Sequence, residues 1–167
     1  GNARPIPQVR AGFLDFVDIP FTKGWVQIKG ELAYGKFMDN DFLRDHYNYY
    51  NQYITTDALY HHKSISFRSN PDKPFVVTIG AELAAQFGGT KRYYKEGVLI
   101  DSLTMKSPTR LKDFFKILFP SSGDGQTNEG DQAYYYGNHV GQWNLSAEYR
   151  FKDNSSVRGY FEWYYDC

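Results

Sequence analysis

The chain has 167 residues, with 19 basic and 19 acidic side chains, so its formal net charge is zero. This balance, without any basic block, excludes the electrostatic footprint of a nucleic-acid-binding protein. Aromatic residues make up 19% of the chain, which is more than the core of an ordinary domain needs, so the excess is expected to serve a particular surface.

Residues 1–24 are predicted to be an extended lead-in segment, because residues 5–24 contain three prolines and keep no sustained period. Residues 25–167 are predicted to be a region of β-hairpins, and the whole chain is predicted to be a single β domain. The first strand lies in residues 25–37, where Val26, Ile28, Leu32 and Tyr34 share one parity. A weaker strand follows in residues 57–68.

The clearest alternation begins at Phe75 and ends at Phe87, directly after a turn at "NPDKP", residues 70–74. About twelve steps of about 3.3 Å give roughly 40 Å along this strand. A tilt of about 40° reduces this length to a span of roughly 30 Å, enough for an apolar band about 25 Å tall. The two phenylalanines are therefore predicted to mark the two rims of such a band.

A long connection, residues 89–140, separates this strand from the last hairpin. The segment "SPTRLKDFFKILFP" within it predicts one short helix between Pro108 and Pro120. Its apolar residues at helical spacing are Leu111, Phe114, Phe115 and Leu118. The final hairpin, "GQWNLSAEYRFKDNSSVRGYFEWYYD" in residues 141–166, alternates an aromatic and a polar face around a polar turn.

The connections between the five predicted strands alternate between long and short, at residues 38–56, 70–73, 89–140 and 153–155. Transmembrane β-barrels have short turns on one side and long loops on the other, and their strands alternate lipid-facing apolar with lumen-facing polar residues. The predicted fold class is therefore all-β: an antiparallel up-and-down meander, part of a transmembrane β-barrel, with one short helix in a long loop. A soluble sandwich or barrel also alternates and remains the alternative.

Five strands do not close a barrel, and an open edge in lipid leaves backbone groups unpaired. The alternation also runs almost to the last residue, Cys167. The polypeptide is therefore expected to continue beyond this residue. Pairing of the open sheet edges between copies of the chain, as a homo-oligomer, is a further hypothesis.

The polar parity of the predicted strands carries charges of both signs. These side chains are predicted to face the barrel lumen, where they form cross-strand ion pairs that maintain the register or contact an acidic polymer through arginine. The predicted lumen-facing residues are Lys29, Glu31, Glu82, Glu148, Arg150, Arg158 and Glu162.

Two tyrosine-rich segments in the long connections are candidate carbohydrate-binding sites. Aromatic rings stack on the apolar faces of sugars, and amides and carboxylates bind the hydroxyl groups. The candidates are Tyr47, Tyr49, Tyr50 and Asn51 in the first connection and Tyr134 and Tyr135 in the second. Packing at the rim of a barrel is the alternative interpretation of these rings.

No G-x-S-x-G elbow, HExxH motif or phosphate-binding glycine loop is present, so neither an enzyme nor a cofactor is predicted. A serine–histidine pair assembled by the fold is the alternative, because such pairs follow no sequence order. His61 and His62 are adjacent and so face opposite sides of a strand, and no metal site is predicted. The single cysteine excludes an intrachain disulfide and paired zinc ligands.

Three long blocks resemble Wzi-type capsule assembly proteins as they occur in Bacteroidetes-like bacteria. They are "PIPQVRAGFLDFVDIPFTKGWVQIKGELAYGKFMD" (5–39), "NPDKPFVVTIGAELAAQFGGT" (70–90) and "GNHVGQWNLSAEYRFKDNSSVRGYFEWYYD" (137–166). The resemblance implies the N-terminal part of a large outer-membrane β-barrel at the cell surface. The implied role is assembly or attachment of capsular polysaccharide, lectin-like and non-catalytic.

The partners that this resemblance implies are capsular or other surface polysaccharide and outer-membrane lipid. Proteins of this kind are several times longer than this chain, and no family motif identifies residues that contact glycan. The alternative function is that of a soluble, secreted or periplasmic β-barrel or sandwich module that binds carbohydrate or lipid.

Overall fold

The computed structural model describes residues 5–38, 42, 46, 51–107, 109–118 and 138–166. In this part of the chain two antiparallel sheets and one short helix are present. The prediction of an all-β antiparallel meander with a short helix in a long loop is confirmed. Closure into a barrel stays a prediction.

Nine strands and the helix α1 follow one another along the described residues. In chain order they are β1 (Gln8–Asp18), β2 (Val26–Lys36), β3 (Tyr53–Thr56), β4 (Leu59–Ser69), β5 (Phe75–Phe87), β6 (Thr90–Lys95), β7 (Val98–Lys106), α1 (Leu111–Lys116), β8 (Asn138–Arg150) and β9 (Ser156–Asp166). The main sheet has the order β1-β2-β4-β5-β8-β9, and the second sheet has the order β3-β6-β7. Strands β1 and β9 are the edges of the main sheet.

Strand β1 lies in residues 1–24, which were predicted to be an extended lead-in segment, and it pairs with β2 as part of the main sheet. Its pairing with β2 contains a bulge. Phe13 lies opposite Gly30, and the next pair along the two strands is Val17 and Ile28. Two extra residues of β1 lie between these pairs, and within this bulge the apolar Leu14 and Phe16 interrupt the alternation. The alternation of apolar and polar residues therefore does not predict β1, although this strand pairs with β2 along most of its length.

The second sheet joins the two long connections of the chain, because β3 comes from the first and the β6–β7 hairpin from the second. Glu96 and Gly97 both have positive φ, 50° and 78°, as a two-residue type I′ hairpin turn requires. At Gly89, where the chain leaves β5, φ is 84° and a Cβ atom would lie 2.7 Å from the Thr56 carbonyl oxygen.

Short turns join the main strands at the opposite end of the sheet, in residues 19–25, 70–74 and 151–155. In the last of these, Ser155 donates to Asp153 Oδ1 from its hydroxyl, at 2.6 Å, and from its backbone N–H, at 3.0 Å. These hydrogen bonds favour the ionised carboxylate and lower the pKa of Asp153. The short turns all lie at one end of the main sheet.

The two long connections of this sheet join β2 to β4 and β5 to β8, and they leave from the other end, which we call the loop end.

A small core forms where α1 packs over the loop end of the main sheet. Ile117 is fully buried against Ala85 and Phe87. The Phe114 ring lies 5.4 Å from the rings of both Tyr34 and Phe87, and the Tyr34 hydroxyl donates to the Phe114 carbonyl at 2.7 Å. Phe87, predicted to mark a membrane rim, instead belongs to this core, so that prediction is wrong.

Candidate functional site

The main sheet has one apolar and one polar face. Directly opposed residues of antiparallel strands share a face, so each register row has a single side. One row is entirely apolar and crosses five strands, and the row next to it is polar except for one tyrosine. The apolar row is Ile28, Phe67, Ile79, Leu145 and Phe161, and the polar row is Gln27, Arg68, Thr78, Ser146 and Tyr160.

The apolar face is exposed between α1 and the turn end. In the middle of the sheet Ile79 is 49% exposed, and at the edge Trp163 is 66% exposed. From Leu83 to Phe75 about eight steps of about 3.3 Å cover roughly 26 Å, or about 20 Å if the strand tilts by about 40°. This extent is close to the apolar band of a transmembrane barrel, about 25 Å tall.

Aromatic side chains lie at both limits of this exposed band. Trp143 and Trp163 lie directly opposite each other near the limit of the band that is closer to the loop end. At the turn end the exposed rings belong to Phe21, Trp25, Phe75, Tyr149 and Phe151. Amphipathic rings favour the interface between headgroups and hydrocarbon, so both positions suit a bilayer.

A chain of contacts between polar and charged side chains crosses the polar face through His62. Its Nε2 lies 2.7 Å from Glu82 Oε1, and its Nδ1 lies 3.3 Å from Glu31 Oε1. Arg10 Nη1 extends the chain to β1, 3.5 Å from Glu31, and Gln142 extends it to β8 by donating to Glu82 at 3.3 Å. This chain of side-chain contacts therefore connects five neighbouring strands, in addition to their backbone pairing.

A second network joins the β8–β9 hairpin. Glu148 accepts from Arg150 Nε at 2.6 Å and from Arg158 Nε at 2.8 Å. Arg150 also donates to the Pro71 carbonyl at 2.6 Å, which ties this hairpin to the turn between β4 and β5. Charged groups that satisfy one another in this way suit a narrow water-filled interior.

All seven predicted lumen-facing residues lie on the polar face, and that this face lines a lumen stays a prediction. Glu31, Glu82, Glu148, Arg150 and Arg158 belong to the two networks, Glu162 accepts from the Tyr164 hydroxyl at 2.6 Å, and Lys29 is exposed. Arg10 was not predicted, because β1 was not recognised, and His62 was considered only as a metal ligand.

His61 lies on the apolar face, opposite to its neighbour. It is fully buried at the loop end, as are His139 and Asp113, and its Nδ1 lies 3.1 Å from the Ala33 carbonyl oxygen. Within the described ranges, no three His, Cys, Asp or Glu side chains are arranged to hold a metal ion.

The predicted carbohydrate site is described only in part. Tyr47, Tyr49, Tyr50, Tyr134 and Tyr135 lie outside the described residues, and Asn51 is exposed shortly before β3. Beside it, the rings of Tyr53 and Tyr93 are 4.9 Å apart, and Lys91 Nζ lies 5.7 Å from the Tyr53 ring centroid. Tyr93 was not predicted, although the Glu96–Gly97 turn marks its hairpin in the sequence.

A concavity of about 760 Å³ lies on the apolar face, next to the end of α1. We call it the apolar groove. Lys63 lies at its α1 end and donates to the carbonyl oxygens of Ile117, at 2.9 Å, and Leu118. Its apolar lining includes Phe13, Leu32, Ile65, Ala81, Trp143 and Leu118.

Among the described residues, no helix is long and apolar enough to cross a membrane. Comparisons with protein families, curated proteins and solved structures found no match for this chain.

Proposed function

We propose that this chain forms part of the wall of an outer-membrane β-barrel at the cell surface, which assembles or attaches capsular polysaccharide without catalysis. The broad exposed apolar face carries this proposal, because monomeric soluble proteins rarely leave a large apolar patch uncovered. Lipid is the solvent that such a face suits, while the ion-paired opposite face suits a wet lumen.

The membrane part of the proposal is tested by placing arginine on either face. Ile79 and Thr78 are neighbours in β5 and face opposite sides. In lipid, Ile79→Arg is expected to lower the free energy of unfolding by about 2–4 kcal/mol, because the charge enters hydrocarbon. The matched control Thr78→Arg is expected to cost less than about 1 kcal/mol. Denaturant titration of the full chain folded into vesicles measures both values.

Equal effects of these two arginines would contradict a lipid-facing apolar surface. A small loss of free energy of unfolding at both positions would indicate that Ile79 faces water. A large loss at both positions would indicate that neither face contacts water. Either result would remove the physical basis of the membrane proposal.

The polysaccharide part rests on the three sequence blocks that resemble Wzi-type proteins and on the loop end, where a second sheet displays Tyr53 and Tyr93 beside Asn51. Deletion of the gene in the source bacterium is expected to shift capsular polysaccharide from the cell surface to the medium. Complementation with the intact gene is expected to restore attachment. An unchanged distribution of polysaccharide between cells and medium would contradict this role.

The alternative is a soluble, secreted or periplasmic module that binds carbohydrate or lipid. The core beneath α1 favours it, because there the apolar face is covered by this chain's own residues, with Ile117 fully buried. The apolar groove beside that core would then be its ligand site. Behaviour in buffer without detergent separates the two candidates.

A further inference from the structure

We infer that the apolar groove binds an acyl chain of one phosphate-bearing, anionic lipid, whose headgroup lies beside Lys63. This inference rests on the proposed membrane function and adds a specific lipid site to it. Three properties of the groove support it: its floor, its size and its single cation.

Small residues form the floor of the groove. One register row runs Gly30, Ile65, Ala81, Trp143, so that small and large side chains alternate across four neighbouring strands. A Cβ atom at Gly30 would lie 2.7 Å from the Ser64 carbonyl oxygen, which shows how closely the backbones approach there. The larger side chains of this row therefore act as walls, and the sheet surface between them is a channel.

The size and lining of the groove suit a flexible apolar ligand. Its volume, about 760 Å³, is within the range of about 300–1,000 Å³ that is typical of small-molecule sites. Leu32 and Leu118 extend the apolar lining beyond the row of the floor. A hydrocarbon chain fills such a space without leaving polar groups unpaired.

Lys63 accounts for the preference for an anion. It occupies an apolar parity position, between Leu32 and Leu83 in the register, and among the described lining residues it is the one cation. Glu31 and Glu82 also line the groove, but their carboxylates lie beside His62 on the polar face. The carbonyl oxygens of Ile117 and Leu118 accept two of its hydrogen bonds. An ammonium group has three donors, and within the described ranges two of them are used, so the third is available to a phosphate oxygen at the mouth of the groove.

The test uses Trp143, which borders the groove, as a fluorescent reporter. Of the three tryptophans in the chain, Trp25 and Trp163 are replaced by phenylalanine. The full chain is folded into phosphatidylcholine vesicles that contain increasing fractions of brominated phosphatidylglycerol or brominated phosphatidylcholine, since bromine quenches a tryptophan that it contacts. Half-maximal quenching is expected at an about fivefold lower fraction of the anionic lipid, the factor expected of one lysine.

Two further variants identify the groove as the site. Lys63→Gln is expected to abolish the fivefold preference, whereas Lys29→Gln, on the polar face, is expected to retain it. Ala81→Phe fills the channel without changing charge and is expected to remove the preference as well. If Lys63→Gln does not fold, Ala81→Phe alone decides, and a preference that survives this change overturns the inference.

Equal quenching by the two brominated lipids would overturn the specific lipid site but would leave the membrane proposal intact, because the apolar face would still contact lipid. No quenching by either lipid would overturn both, since Trp143 would then not face hydrocarbon.

Discussion

Two residues of the sheet and helix define where the apolar face is covered. Ile117 is fully buried in the core at the loop end, and Lys63 holds the end of α1 through two backbone carbonyl groups. Ile117 therefore contributes apolar contact. Lys63 contributes a cation at the C-terminal end of α1, where backbone carbonyl groups lack partners within the helix.

Ile117→Ala is expected to lower the stability of the contact between α1 and the sheet by about 2–4 kcal/mol, because a buried side chain is replaced by a cavity. Hydrogen exchange of the α1 amides measures this local stability. Leu111, which is 82% exposed on the same helix, is the control, and Leu111→Ala is expected to change the exchange by less than about 0.5 kcal/mol. Similar acceleration in both variants would contradict the packing described.

At the scale of elements, the second sheet consists of strands within the two long connections, where the sequence pattern predicted no strand. It depends on the change of direction after β5, where Gly88 and Gly89 both have positive φ, 67° and 84°. From there β6 runs beside β3, and Tyr53 meets Tyr93.

Gly89→Ala is expected to destabilise the second sheet by about 1–3 kcal/mol, because the new Cβ adds strain at positive φ and meets the Thr56 carbonyl oxygen. The expected result is faster hydrogen exchange in Thr90–Lys95 with β5 and β8 unchanged. Gly159→Ala provides the comparison, since a Cβ atom there would have no neighbour within 4 Å. Equal exchange in the two variants would show that Gly89 is not required for the turn.

At the scale of the whole molecule, the main sheet has exposed apolar side chains in the middle, and within the described part of the chain its edge strands β1 and β9 are each paired on one side only. Both features favour further contacts: an exposed apolar face favours lipid, detergent or another apolar surface, and an unpaired strand edge favours pairing with another strand.

The full chain is therefore expected to form large assemblies in buffer without detergent and to be monodisperse in detergent micelles. Light scattering under the two conditions measures this difference. A stable monomer in plain buffer would favour the soluble alternative, and Ile79→Arg would then be expected to have little effect on stability.

The sequence predicted most of the main sheet but little of the loop end. Strands β2, β4, β5, β8 and β9 follow from alternation, because parity alone decides the face of a strand residue. Strand β1 was missed because Leu14 and Phe16 interrupt its alternation at the bulge, and β6 and β7 were missed because their register is irregular. Of the candidate site, the polar-face charges could be predicted by parity, whereas the role of His62 could not.

By itself, the sequence determined two opposite faces, short turns at one end and long connections at the other, since these depend on local periodicity and turn chemistry. Only the tertiary structure decided that α1 covers part of the apolar face, that Phe87 lies in a core and that Lys63 borders a groove. These features depend on contacts between segments far apart in the chain, such as Lys63 and Ile117, and no local pattern specifies such contacts.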